Sequence, residues 1–302
     1  MSVLVPDWIE SWINSRSLEL RPSTISGYRR LLRLYIRPSL GHLHLDELGP
    51  EHITMCLSAV IGQGKPRQAQ LTRVLIAAAL RSAVSLGILQ SSPMERVSRV
   101  RHRSEFTPWW TAEQLARFLA SAKASNDPYL VAWLLALTCG LRRGELLGLQ
   151  WIDVDLTQLV LHIRRQRIVV DGRTIECSPK SAAGVRDIPL PLELVAPLRA
   201  ARRRSASPYV LSLPCGSPCT PKALRKGHGE AIALAGVSYI PLHGMRHTMA
   251  SLAAAAGVPI KVLQTILGHA HFSTTADIYA HVDDTARRAA MDVLGSKISS
   301  WM

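Results

Sequence analysis

The sequence predicts a mainly α-helical protein with a small antiparallel β-sheet, an α+β architecture with a helical first part and a larger mixed second part. Three observations predict it. From Val5 to about Val97, apolar residues recur at helical spacing between proline starts and glycine stops. The texture changes at Leu159, where LVLHIRRQRIVV brings β-branched residues and partial alternation ahead of an Asp171-Gly172 turn signal. From Pro191 onward the helical pattern returns.

Taken in order, Asp7 to Ser15 is a short amphipathic helix with Trp8, Ile9, Trp12 and Ile13 at helical spacing. Pro22-Ser23-Thr24 opens the next, through Tyr28, Leu31, Leu32 and Tyr35, with proline in the favoured first turn and Pro38 and Gly41 as its end. Leu48-Gly49-Pro50 is a break before another helix, GQGKPRQ a loop, and Arg67 to Leu86 a long Ala/Leu helix closed by Gly87. These short helices, 1–98, suit a small DNA-clamping bundle, and equally a generic helical domain with solvated arginines. RVRHRSEFTP, Arg99 to Pro108, is the linker: basic and without apolar periodicity. Arg99, Arg101 and Arg103 in it can track a phosphate backbone. Residues 109–302 form the second domain. Thr111 caps its first helix and Asp127-Pro128 opens its second, which ends at Gly140. The strands follow from Leu159, with Thr174-Ile175, Val185 to Leu190 and the brief Tyr209-Val210-Leu211 as later pieces.

Bulk properties bound the function. The chain has 302 residues, 47% of them hydrophobic, enough for one large domain or two ordinary ones. Its formal charge of +14 points to a polyanionic partner, nucleic acid first. A membrane partner is disfavoured, because there is neither a long apolar run nor one concentrated basic amphipathic helix. The start, MSVLVPDWIESWINS, carries acids and lacks the basic opening of a signal peptide, and five cysteines without framework spacing fit a reducing cytoplasm. Cys215 and Cys219 have no second pair or partnered histidine to make a zinc site.

Several residues could hold a phosphodiester. Arg142 reads as lying at the C-terminal edge of an apolar helix, just after Cys139-Gly140, and Lys180 lies in a polar turn between strands. His243 and Arg246, three apart, share one helix face. His269 follows Leu267-Gly268, and Tyr279 stands in a short helix opened by Ser273-Thr274-Thr275. No acidic cluster of the kind that holds magnesium accompanies them, and no nucleotide-binding glycine loop is present. Arginines, a lysine, histidines and a tyrosine together suit attack of a tyrosine hydroxyl on a phosphodiester, with fixed cations stabilising the developing charge. Arginine suits the task because its planar fork bridges two phosphate oxygens. A 5′ alkoxide leaving group needs a proton, which lysine can supply. Singly, each residue has an ordinary reading: a partly buried tyrosine, a solvated turn lysine, a core histidine.

The ordered series Gly140-Leu141-Arg142-x-Gly144-Glu145-Leu146, Pro179-Lys180-Ser181, Arg186-x-Ile188-Pro189-Leu190, His243-x-x-Arg246-His247-Thr248, Leu267-Gly268-His269 and Tyr279-Ala280-His281 resembles the tyrosine recombinase (phage integrase) family. The resemblance covers essentially the whole chain, since 1–98 looks like that family's core-binding domain. Gly244 stands where an acid is common and Met245 where leucine is usual. The resemblance implies Tyr279 as the nucleophile that forms a 3′-phosphotyrosyl link, Arg142 and Arg246 as the phosphate clamp, and Lys180 as the acid for the 5′ oxygen. It implies His243 in proton transfer with the tyrosine, His269 on the phosphate, and Glu145 as support for Arg142. Neither cofactor nor metal is implied, because the covalent link conserves the bond energy. It also implies double-stranded DNA sites with inverted half-sites, and a homotetramer in which the tail with Val293, Leu294, Ile298 and Trp301 docks on a neighbouring protomer. The chain's start at the core-binding region suggests short, simple attachment sites. Arg143 is the local rival of Arg142, and Lys222 and Lys226 are the rivals of Lys180. His247, His271 and His281 read as peripheral. Arg164, Arg165 and Arg167 could touch phosphate, whereas Arg202-Arg203-Arg204 reads as a solvated face. An integrase, a host recombinase that resolves chromosome dimers, a type IB topoisomerase and a non-catalytic DNA-binding regulator remain the competing readings.

Overall fold

Proline placement shapes the first helices in a computed structural model of the protein, which describes residues 3–100, 107–179, 181–213 and 215–268. Helix α1 (Val5–Ser15) has Pro6 in its first turn and buries Ile9, Trp12 and Ile13 along one face. Helix α2 (Pro22–Leu31) continues through a wide π turn, Leu32–Ile36, into α3 (Arg37–Leu40). Sequence spacing places the end of this run at Pro38 and Gly41; the chain carries the helix past Pro38 and ends it at Leu40, with Gly41 as the cap. Proline has no N–H, and its ring would crowd the Leu34 carbonyl in a regular α-helix. The widened turn absorbs that conflict, with the Arg37 N–H bonding back to the Leu32 carbonyl. Helices α4 (Pro50–Gly62) and α5 (Pro66–Ser85) pack as a pair and close a core around Ile9, Ile13, Ile36, Ile53, Leu75, Ile76 and Leu80. Each such side chain contributes roughly 1.5–3 kcal/mol through burial.

The chain divides into two compact units: the segment up to Glu105 together with Val170–Arg173, and the remainder. In the second unit, α6 (Ala112–Ala124) opens with a reciprocal cap between Thr111 and Gln114. Helix α7 (Leu130–Thr138) is buried along most of its length, and the short α8 (Arg143–Gly148) follows. Strands β1 (Val154–Asp155), β2 (Val160–Ile163) and β5 (Arg186–Pro189) form one antiparallel sheet in the order β1-β2-β5. Strands β3 (Gln166–Val170) and β4 (Arg173–Cys177) form a separate two-stranded ribbon. The single small sheet read from the sequence is therefore two. The run breaks at Arg164-Arg165 because β3 leans onto α8, where glycine lets the backbones close: a Cβ on Gly148 would meet Gln166 Cα at 2.7 Å. The hairpin turn at Asp171-Gly172 has φ of +48° and +79°, as a two-residue turn of this hand requires.

Helices α9 (Val195–Arg204), α10 (Pro221–Ala235), α11 (Leu242–Ala255) and α12 (Ile260–Leu267) complete the described part. An aromatic core holds α6, α7 and α10, with Trp110 and Phe118 at 4.6 Å between ring centroids and Trp133 at 5.5 Å from His228. A smaller cluster of Met249, Ala250, Ala254, Leu263 and Leu267 fixes α12 against α11. Arg202, Arg203 and Arg204 are exposed, as a solvated face requires. Among the described residues no helix is long and apolar enough to cross a membrane.

Candidate active site

Gly140 makes the turn that leads into the site. Helix α7 stops at Thr138, and Gly140 adopts φ +63°, where a side chain would be strained and its Cβ would lie 2.8 Å from Leu267 Cδ2. Sequence spacing puts Arg142 at the C-terminal edge of α7. The turn at Gly140 instead makes it the residue that precedes α8, with extended backbone.

Glu145, in the first turn of α8, organises the charges. Its Oε2 accepts from the Arg142 backbone N–H at 2.9 Å, and its Oε1 from Arg142 Nη1 at 2.7 Å. Arg186, on β5, donates Nη1 to Oε1 at 3.1 Å and Nη2 to Oε2 at 3.0 Å. The carboxylate is 2% exposed. Burial alone would raise its pKa, but the hydrogen bond and charge of Arg186, and then the charge of Arg142, hold it down at about 2.

Three arginines converge on one helix end. The last carbonyls of an α-helix have no partner within it and carry partial negative charge. At the end of α12, Ile266 O accepts from Arg186 Nε at 2.6 Å, Leu267 O from Arg246 Nη2, and Gly268 O from Arg142 Nη2 at 2.9 Å. The other terminal nitrogen of Arg246, Nη1, donates to Gly140 O, which ties the turn before Arg142 to α11. Gly268 closes α12 with φ +62°; a Cβ there would sit 2.6 Å from Ala183 O. Arg142 and Arg246, 104 positions apart in sequence (246 − 142), thus hold adjacent carbonyls. Arg246 is 2% exposed, whereas the Arg142 side chain is 33% exposed, so of the two it is Arg142 that has open access to solvent.

His243 stands one turn before Arg246 on α11, its ring 4.8 Å from that of His247 in an edge-on pair. Desolvation by the surrounding protein, then the positive charges of His247, Arg246 and Arg142, lower its pKa to about 4. Its side chain reaches solvent, so the direction of that shift, toward the neutral ring, is what carries chemical weight. The departures at Gly244 and Met245 have a packing reason. A Cβ on Gly244 would meet Pro108 O at 2.7 Å, leaving no room for an acid, and Met245 is fully buried in the core.

Of the residues read from sequence, Arg142, Glu145 and Arg246 are brought into one network, with His243 beside them. Lys180, His269 and Tyr279 lie outside the described residues, as do Arg101 and Arg103. Arg99 is exposed in the first unit. Arg164, Arg165 and Arg167 are engaged within the protein and make no side-chain bond to Glu145, although Arg164 Nη1 donates to the Arg186 backbone carbonyl at 3.3 Å. Arg164 pairs with Asp187 at 2.6 Å, and Arg165 with Asp153 at 3.4 Å. Arg167 donates to Cys219 O at 3.1 Å and lies over the Tyr209 ring. Arg186 stands in the sequence motif without an assigned role. The signal that marks it is strand periodicity, since Arg186 and Ile188 alternate onto the buried face of β5. Among the described residues no group of three His, Cys, Asp or Glu side chains is placed to hold a metal.

A family model described as the phage integrase family matches residues 108–286, and one described as the phage integrase central domain matches residues 6–100. A tyrosine recombinase XerC-like protein of Caldanaerobacter subterraneus subsp. tengcongensis is 33% identical over 186 residues, which cover 54% of this chain and 48% of that protein. The chain thus spans about half the length of that relative. A putative prophage phiRv2 integrase of Mycobacterium tuberculosis is 28% identical over 271 residues, 87% of this chain and 70% of that protein. Among solved structures, the fold is similar to the Tn1549 transposon integrase in complex with transposon right end DNA. That likeness has a TM-score of 0.84 and 23% identity, and covers 97% of this chain and all of that one. It is also similar to a lambda integrase tetramer bound to a Holliday junction, with a TM-score of 0.72 and 19% identity, over 92% of this chain and 77% of that one.

Proposed function

The chain belongs to the tyrosine recombinase (phage integrase) family of site-specific recombinases, and from that premise we propose that it cuts and rejoins DNA through a phosphotyrosine at Tyr279. One observation carries the reading: Arg142 and Arg246 converge on the Gly268 and Leu267 carbonyls, the last two before His269 in the sequence. Each guanidinium has five donors and, among the described residues, spends only part of them on protein acceptors, which leaves N–H groups for non-bridging phosphate oxygens. The Tyr279 hydroxyl attacks the scissile phosphorus while its proton passes to the neutral ring of His243. The two arginines stabilise the charge that develops on the phosphate, and His269 hydrogen-bonds the same group. Lys180 gives a proton to the departing 5′ oxygen. Attack by a partner strand's 5′-hydroxyl then reverses the chemistry and frees the tyrosine. The phosphotyrosyl ester keeps the energy of the bond that was cut, so the step draws on neither nucleotide hydrolysis nor a cofactor.

Residues 1–98 serve as the core-binding domain, 99–108 as a basic linker with Arg99, Arg101 and Arg103 along the backbone, and 109–302 as the catalytic domain. The substrate is double-stranded DNA with inverted half-sites, on which four copies assemble in the cytoplasm with the C-terminal tail docked on a neighbour. Similarity to a prophage integrase over most of the chain supports integration and excision of a mobile element; similarity to an XerC-like protein supports resolution of chromosome dimers as the second reading.

The test uses DNA carrying the junction sequence that flanks the gene, nicked close to the cleavage point so that a short strand diffuses away. The wild-type chain should accumulate a covalent protein–DNA adduct, and Tyr279→Phe should form none. A wild type without adduct would point to a non-catalytic regulator. Relaxation of supercoils by a monomer on any sequence would point to a topoisomerase. An adduct that persists in Tyr279→Phe would remove Tyr279 from the role.

A further inference from the structure

We propose that Arg186 is a positioning residue for strand cleavage: by taking both oxygens of Glu145 in a forked pair, it leaves Arg142 only one side-chain bond to that carboxylate and keeps the Arg142 guanidinium turned toward the phosphate. The proposal rests on the recombinase reading above.

The argument is one of donors and acceptors. A carboxylate offers about four lone-pair sites. Those of Glu145 are filled by the backbone N–H and Nη1 of Arg142 and by Nη1 and Nη2 of Arg186. Arg186 therefore holds the planar two-bond geometry that arginine and carboxylate prefer, while Arg142 is left with a single side-chain contact. Arg142 Nη2 is free to reach Gly268 O, and its side chain keeps its access to solvent.

Arg186 itself is fixed from three sides. Strand β5 pairs it with Ile163 on β2, Gly184 O accepts from its Nη1 at 3.0 Å, and Ile266 O from its Nε at 2.6 Å. Gly268 lets it come that close, since a Cβ there would lie 3.0 Å from Arg186 Cδ. Arg186 is 8% exposed and Glu145 2%, so the pair does not serve solubility. If the fork were lost, half of the acceptor sites on a buried carboxylate would open. Arg142 is the other arginine already bonded to that carboxylate, and the preferred response is for Arg142 to swing into the vacated fork, away from Gly268 O and from the phosphate. Lysine at this position keeps the charge but is a point donor that cannot span both oxygens and the Ile266 carbonyl.

The test compares the full-length wild type, Arg186→Lys, Glu145→Gln and the double variant Glu145→Gln/Arg186→Lys on the nicked DNA described above. Thermal unfolding confirms that each is folded. At saturating DNA, Arg186→Lys should lower the first-order rate of adduct formation by about 10- to 100-fold, the scale of an ångström-sized misplacement. Its half-saturating DNA concentration should stay within about twofold of wild type, because four of the five Arg186 N–H groups are spent on Ile266 O, Gly184 O and the two Glu145 oxygens. Removing the charge on Glu145 removes the pull on Arg142, so the double variant should cleave faster than Arg186→Lys alone. A merely structural role would make the double variant slower than either single one, and that result would overturn the proposal. So would Arg186→Lys cleaving at the wild-type rate, or rate and affinity falling together. A wild type that forms no adduct would instead refute the recombinase reading, and this role with it.

Discussion

His228 shows what a buried imidazole does to this fold. It is 1% exposed, its ring lies between Trp133 and Tyr239, and its Nε2 has no hydrogen-bond partner among the described residues. Burial lowers its pKa to about 4, against roughly 6.5 for the ring in an unfolded chain. Protonation therefore favours the unfolded state: stability is whole above about pH 6.5 and is lost as pH falls toward 4. A shift of this size corresponds to about 3 kcal/mol. Urea unfolding at pH 7 and at pH 4.5 should show a smaller loss in His228→Phe than in wild type; equal losses would contradict the assignment. His243 and His247, also shifted downward, retain part of the slope in that variant. Glu145 acts in a lower window. Its folded pKa of about 2 lies below the ordinary 4.5, so its contribution is present above pH 4.5 and lost as pH falls through 2. For catalysis, a neutral His243 places the acid limb of the cleavage rate well below pH 6. A limb centred near 6.5 that vanished in His243→Ala would contradict the lowered pKa.

At the scale of elements, the junction of α12 with the β4–β5 segment sets the site. Gly268→Ala puts a Cβ at 2.6 Å from Ala183 O in a left-handed conformation. We expect a loss of about 1–3 kcal/mol in stability, and slower cleavage, because the carbonyls held by the three arginines must shift. Gly229→Ala, with open space around its Cβ in α10, is the control and should be neutral or slightly stabilising. Melting and adduct formation measured on both variants check this. Much of the element order was legible because its signals are local. Thr111 caps α6, Asp171-Gly172 turns the hairpin, and a three-residue spacing puts His243 and Arg246 on one face of α11. What escaped depends on contacts distant in sequence. The helix survives Pro38 by widening to a π turn, which no local preference announces. The sheet splits in two because Gly148 admits the β3 backbone. Arg186 looks like any strand arginine until the fold brings Glu145 to it from 41 positions away (186 − 145).

For the whole molecule, the formal charge of +14 is the dominant long-range property. Each phosphate contact releases condensed counterions, so affinity for DNA should fall steeply with salt, on the order of 100-fold or more between 50 and 200 mM if several phosphates are met. Filter binding or fluorescence anisotropy across that range checks it. A nearly flat dependence would mean that the basic surface is not the binding face. Arg164, Arg165 and Arg167, already paired within the protein, should contribute less to that slope than Arg99 does. Substituting each by alanine and comparing the slopes decides between them.

The end of α12 is also an anchorage. From Gly268 to Tyr279 there are 11 residue steps (279 − 268), a contour of at most about 40 Å. Arg246 and Arg142 fix the chain at the Leu267 and Gly268 carbonyls, the last two before His269. On the proposed roles, removing either arginine does two things at once: it takes a cation from the phosphate and it loosens the point from which the chain runs on to Tyr279. Once that point is loose, losing the second arginine has less left to undo. In a double-mutant cycle, Arg142→Ala and Arg246→Ala should fall short of additivity.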